Sequence, residues 1–443
     1  MPSPREQRAR PALAPWVAAL LAVELVAAAV GIATMRSERP TPVPVTTRAR
    51  VAPPARLDVA REQAVRALLA ARARAIREHD RAAWLATVDP TQPAFVARQA
   101  AVYDALAGLP LADWDYQLDP AAPPPAPLDL DRTRGPGWWA PGVTLTYRLA
   151  GYDEHSTYEP QRLTFVPHAD GWLLAADDDF AATGHDTTRG LWDSGPVVVL
   201  RGRSCLVLGH PGSRALMRQV ADGIDAAVPR VTRVWGPGWS QRVVALVPRS
   251  AAELSSVIGG TGDYSRVAAV ATAELVDPTA GYHPVGDRVL VNPQTFGRLG
   301  GIGRQVVLTH EVTHVATRQA TGAAVPAWLV EGLADYVGYL DAGLPLRLSA
   351  AELRDAVRRG QSPVQLPSEH DYDGSNPDLA KVYEEGWLAV SLLVAEHGQT
   401  GLLRLYRTVG QGRDVDAALH DLWGSDLATF TAEWRHDLTT RLR

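Results

Sequence analysis

The stretch "VVLTHEVTHVATR", residues 306–318, decides how the rest of the chain is read. His310 and His314 stand four positions apart, with Glu311 directly after the first. On a helix, positions i and i+4 share a face, so both imidazoles can reach one ion about 2 Å away. Glu311 then lies beside them, placed to handle a bound water. Val306, Val307, Leu308, Val312, Val315 and Ala316 are apolar, so the helix reads as largely buried. The plain alternative is a pair of core histidines satisfied by other partners.

Working outward, Gly322 breaks the helix and Pro326 suits the first turn of the next, "PAWLVEGLADYVGYL" (326–340). Glu331 sits among Trp328, Leu329, Val330 and Leu333. A lone carboxylate there is costly unless a cation pairs it. Asp335 follows one turn later on the same face. It suits the outer N–H of a metal-bound histidine, His310 first, and would fix its tautomer. The alternative, an acidic pair on a solvated helix face, is disfavoured by the apolar neighbours.

"HEVTH" followed by "AWLVEGLADY" resembles the gluzincin metallopeptidases, and closely the bacterial peptidase MA-like group. The resemblance covers roughly residue 195 to the C-terminus; its two-part motif is specific, while the sheet-bearing half matches in outline. It implies Zn2+ held by His310, His314 and Glu331, Glu311 as general base, and Asp335 behind a ligand. "YEEG" (383–386) is similar to the Y-E-x-G stretch of gluzincin aminopeptidases, which implies that Tyr383 donates to the transition-state oxyanion. Otherwise Tyr383 merely opens an amphipathic helix. No G-x-M-E-N substrate-amine motif is evident, so aminopeptidase specificity is not implied.

Ahead of this domain the chain changes character three times. "APWVAALLAVELVAAAVGIATM" (14–35) is a near-continuous apolar run. It has about the 20 residues that span a bilayer, which favours an uncleaved single-pass anchor over a signal peptide. Residues 1–13 form a short tail carrying Arg5, Arg8 and Arg10, and 36–56 a proline-rich spacer. From 57 to 183, helices precede period-two strands, "WDYQL", "VTLTYRL" and "QRLTFVPHADGWLLAAD", with a tight turn at Asp170-Gly171. That order resembles the nuclear-transport-factor-2-like (SnoaL-like) α+β roll. Trp138 and Trp139 are expected to pack over its mouth.

The peptidase-like domain is read as 190–443, after a boundary at Ala182–Pro196. Its first half carries strands and a helix from about Ser213 to Ala227; its second half is helical. The strand "DRVLVNP" (287–293) is expected at the sheet edge beside the cleft, where an extended peptide could pair with it. The fold class is therefore α+β: an anchor, a roll, then a mixed sheet followed by helices.

Composition narrows the remaining choices. The 443 residues carry a net charge of −5 and no basic patch interleaved with aromatics, which argues against nucleic acid. The lone Cys205, in "RSCLVLG", reads as a buried inert thiol. The expectation is a membrane-anchored, extracytoplasmic zinc peptidase acting on peptides or proteins. The competing readings are an inactive, zinc-stabilised scaffold working through its roll, and a purely structural helical protein.

Overall fold

The computed structural model describes residues 56–120, 129–184, 187–259, 264–275, 284–322 and 324–443. The tail, the apolar run 14–35 and nearly all of the spacer lie outside the described residues. Among the described residues no helix is long and apolar enough to cross a membrane.

The first unit opens with α1 (Arg56–Arg77), which buries Val65, Leu69, Ala73 and Ile76 along one stripe. α2 (Arg81–Leu85) starts where the Asp80 carboxylate accepts from the Ala83 N–H, and α3 (Pro93–Leu106) begins on a proline. Then come β1 (Leu111–Asp119), the short α4 (Leu130–Arg134), β2 (Gly142–Leu149) and β3 (Thr157–Gln161). The three strands pair antiparallel in that order. β4 (Thr164–His168) and β5 (Gly171–Ala176) form a separate hairpin, turning over Ala169 and Asp170. The single meander expected from the alternation is thus split in two. Val65, Leu69, Phe95, Val143, Phe165 and Leu174 fill the space between helices and strands. Trp139 joins them by pairing its main chain with Phe165, while Trp138 donates from Nε1 to Asp131 at 2.7 Å.

The second unit holds a five-stranded sheet ordered β6-β7-β8-β10-β9. Its strands are β6 (Val198–Arg201), β7 (Cys205–Gly209), β8 (Val243–Val247), β9 (Ala269–Leu275) and β10 (Pro284–Val291). β7, β8 and β10 run parallel, and β6 and β9 close the two edges antiparallel. This corrects one expectation: "DRVLVNP" supplies an interior strand, and β9 is the edge. The reason is that β10 uses the main-chain groups on both of its sides, pairing parallel with β8 and antiparallel with β9.

α5 (Arg214–Trp235) packs on one face of the sheet. It runs two turns beyond the expected end despite Pro229, because Val228, Val231, Val234 and Trp235 are buried. Their burial outweighs a proline cost of about 3 kcal/mol. Cys205 faces this helix, its Sγ 3.7 Å from Ala221 O, and burial pushes the thiol up to about 12.

The roll rests on the other face of the sheet. Gly286 on β10 has φ 67, and a Cβ there would stand 2.8 Å from Thr157 Oγ1, so a glycine lets β3 approach. Arg288 forks onto Asp153 at 2.7 and 2.9 Å, with both side chains buried. The expected boundary segment is itself packed. The Trp192 ring lies 5.8 Å from that of Trp114 and 5.4 Å from that of Tyr147.

Short helices α6 (Ala251–Ile258) and α7 (Pro293–Arg298) flank the sheet. The helical half follows: α8 (Gly301–Thr317), α9 (Ala327–Tyr339), α10 (Leu346–Ser349), α11 (Ala351–Arg358), α12 (Leu379–Gly410), α13 (Val415–Trp423) and α14 (Leu427–Arg441). α8 contacts β9, α5 and α9, so it lies between the sheet and the remaining helices.

Candidate metal centre

α8 is buried from Val306 to Thr317, so every polar group on it needs an internal partner. The hydroxyls of Thr309 and Thr313 donate back to Gln305 O and Thr309 O, at 2.7 and 2.8 Å. His310 and His314 have no such recourse and point at α9, while Glu311 faces the main chain of Ala271 on β9. α9 lies close because glycines line both of its contacts. A Cβ on Gly338 would stand 3.1 Å from Val306 O of α8, and one on Gly332 would overlap the Gly386 carbonyl of α12. We expect Gly332→Ala to cost about 2–3 kcal/mol by overpacking this crossing. Urea unfolding measures it; an unchanged midpoint would show that the helices can separate freely.

The crossing brings Glu331 over both histidines. His310 Nε2 and His314 Nε2 stand 3.0 Å apart, and Glu331 Oε2 lies 3.3 and 3.4 Å from them. Donors held about 2.0–2.1 Å from a tetrahedral ion stand roughly 3.3 Å from one another, so this triangle has the dimensions of three such ligands. Its chemistry fits as well. Asp335 Oδ1 sits 2.8 Å from His310 Nδ1, so that nitrogen carries the hydrogen and Nε2 of the neutral ring offers a lone pair to the triangle. Both oxygens of Glu331, both of Glu311 and Asp335 Oδ2 are buried with no hydrogen-bond partner. Glu331 approaches the imidazoles within ion-pair range but outside hydrogen-bond geometry. A divalent cation among these groups would favour the ionised form of all three carboxyls, which burial by itself opposes.

The electrostatics follow the same layout. Burial pushes the Glu311 carboxyl up to about 8, with His310 opposing and the Glu331 charge adding. Burial also works against a charged Glu331, yet the two imidazoles hold that carboxyl down at about 2. Burial raises Asp335, and His310 opposes.

Tyr383 lies on α12 with its ring 6.1 Å from that of His310, and it is buried. Tyr372 packs edge-on against it at 5.1 Å and donates to Val382 O at 3.4 Å. All the expected site residues therefore meet at one place. Two further residues, which the sequence motifs do not mark, border the site. Arg318 donates to Asp287 and to Ala271 O, both at 2.9 Å, which ties the end of α8 to β10 and β9. It lies seven positions after Glu311, on the same helical face, so the period alone could have pointed to it. Tyr372 sits on a single 3-10 turn, Glu369–Tyr372, and no local pattern marks it.

Residues 300–440 match the family model of the Peptidase MA superfamily. No curated protein matches the chain. The matched stretch runs from α8 into α14 and contains the whole cluster. This likeness supports a gluzincin-type peptidase domain with a metallopeptidase-like function. The mixed α+β architecture with a helical C-terminal half fits it. The buried His310, His314 and Glu331 are compatible with a metal ion.

Glu385, two positions after Tyr383, gives a pH test away from the ligands. Burial pushes its carboxyl up to about 7, with Lys381 opposing. The folded state therefore keeps this proton longer than the unfolded chain. Its contribution is present in full below an unfolded pKa of about 4.3 and is lost as pH rises through the folded value. Glu385→Gln, which cannot ionise, should stabilise the protein above pH 7 by on the order of 3–4 kcal/mol. The gain should vanish near pH 4. A gain of equal size at both pH values in urea titrations would rule out this cause.

Proposed function

We propose that the chain is a membrane-anchored, extracytoplasmic zinc metallopeptidase that hydrolyses peptide bonds. The observation that carries this reading is the triangle of donor atoms from His310, His314 and Glu331 beside the buried carboxyl of Glu311. When bound, zinc supplies Lewis acidity to the scissile carbonyl and to the attacking water. Glu311 takes the proton of that water and later passes it to the leaving amine. Asp335 holds His310 in the tautomer whose Nε2 lone pair faces the triangle. Tyr383 donates its phenolic hydrogen toward the carbonyl oxygen as negative charge develops there.

In this proposal residues 14–35 form the anchor and 36–56 the spacer, with the bulk of the chain on the outer side of the membrane. Residues 57–183 form a roll of the nuclear-transport-factor-2 kind, supported by helices that precede antiparallel strands. The test is metal analysis combined with digestion of an unbiased peptide library by wild type and by Glu311→Gln. Cleavage by wild type alone, with one zinc in each protein, supports the reading. Bound zinc with no turnover in wild type would favour the scaffold reading, in which deleting residues 57–182, rather than altering Glu311, changes the cellular phenotype.

A further inference from the structure

The sheet edge that passes the metal centre also borders a second space. Asn292 N–H donates to Ala268 O at 2.9 Å, so Ala268 and Asn292 form a hydrogen-bonded pair between β9 and the end of β10. Antiparallel alternation then makes Val270–Leu290 and Thr272–Arg288 the next such pairs. Ala269, Ala271 and Ala273 consequently turn their main-chain groups away from β10, toward an edge that no strand covers among the described residues. Arg318, which reaches Ala271 O from outside the sheet, agrees with this, and it uses only one of the two lone pairs of that carbonyl. Because α8 packs against β9, an added strand on this edge would run past Glu311.

Side chains of an added strand alternate between the two faces of the sheet. One face carries α8. The other carries Thr272, and there a cavity of ≈ 430 Å³ lies between the sheet and the roll. Its floor is Leu246 and Leu290, its far wall Ile258, and its roll-side wall Tyr147 and Trp192, with Thr272 at the edge strand. The charged groups nearby have partners within the protein: Arg288 pairs with Asp153, Arg189 with Asp177, and one oxygen of Glu159 accepts from the Tyr147 hydroxyl at 3.0 Å. The apolar part of the open surface comes from Leu246, Leu290, Ile258, Tyr147 and Trp192, and a polar rim accompanies it.

We propose that this cavity is a side-chain subsite that takes a large apolar side chain of a peptide extending the sheet at β9. The roll is then part of the substrate site, since without it this face of the sheet has no opposite wall. The inference rests on the peptidase reading above and deepens it.

The test uses the full-length chain. An extended-peptide library is selected by affinity on Glu311→Gln, which reads the subsite whether or not a bond is cut. The selected peptides should carry Leu, Met, Phe or Trp at one fixed position. Two substitutions fill the cavity from opposite sides, Ile258→Trp and Thr272→Tyr, so that failure of one to fold leaves the other. In the Glu311→Gln background, each folded variant should bind those peptides at least tenfold more weakly and accept Gly or Ala at that position. Retention of no peptide, selection of no apolar position, or an unchanged preference in the filled variants overturns the subsite. If peptides are selected as expected but zinc-loaded wild type cuts none, the subsite stands and the peptidase reading falls. If wild type cuts peptides with no preference at any position, the subsite falls and the peptidase reading stands.

Discussion

Glu311→Gln is expected to lower kcat/KM on any cleavable peptide by about a thousandfold, within the range that a positioned general base contributes. The substitution is close to isosteric, and the donor triangle belongs to His310, His314 and Glu331, so the zinc content should not change. Folding should not suffer either. Burial already opposes the charge that the amide removes, and the amide oxygen can still face the Ala271 N–H. The three readouts separate the causes. A fall in turnover with full zinc and an unchanged melting temperature isolates the proton transfer. Turnover retained in a properly metallated Glu311→Gln protein would show that another group takes the proton.

The second large effect concerns the metal itself. Adding zinc to metal-free protein should raise its melting temperature, because the folded chain alone presents the triangle. At free zinc a thousandfold above Kd the gain is about 4 kcal/mol, on the order of 10 °C for a domain of this size. Glu331→Gln removes the one charged donor of the triangle while keeping its shape. Zinc affinity should fall by orders of magnitude, and the same zinc concentration should then shift melting little. Asp335→Asn should fall between, since its amide oxygen still accepts from His310 Nδ1 but without the charge. Loss of such an outer partner typically costs 10–100-fold in affinity. Calorimetric zinc titration of the three proteins measures this order. No thermal response in wild type, or an equal response in Glu331→Gln, would remove the metal centre from the proposal.

Legibility differed sharply between elements. The four-residue spacing of His310 and His314, and of Glu331 and Asp335, could be read because helical geometry maps such spacing onto one face. Their burial could be read because valines, leucines and alanines surround them. The hairpin around Asp170 was equally plain, since a tight turn is a local decision. The full length of α5 is not legible locally, because the burial of Val231, Val234 and Trp235 that carries it past Pro229 is a tertiary effect. The place of "DRVLVNP" in the sheet is hidden for a related reason. Strand composition shows that a segment pairs, but which neighbours it has depends on the rest of the sheet.

By itself, then, the sequence determined which side chains share a helical face, which segments pair as strands or coil as helices, and where a carboxylate would be stranded among apolar neighbours. Each of these follows from periodicity and transfer energy over a few residues. Only the tertiary structure decided that α9 crosses close enough, through Gly332 and Gly338, to set Glu331 3.3 and 3.4 Å from the two imidazoles. It alone decided that β9 ends the sheet among the described residues, that Arg318 fastens this edge to α8, and that the roll walls a cavity beside it. These contacts join residues tens to more than a hundred positions apart, and their geometry is set by how whole elements pack, which no local period records.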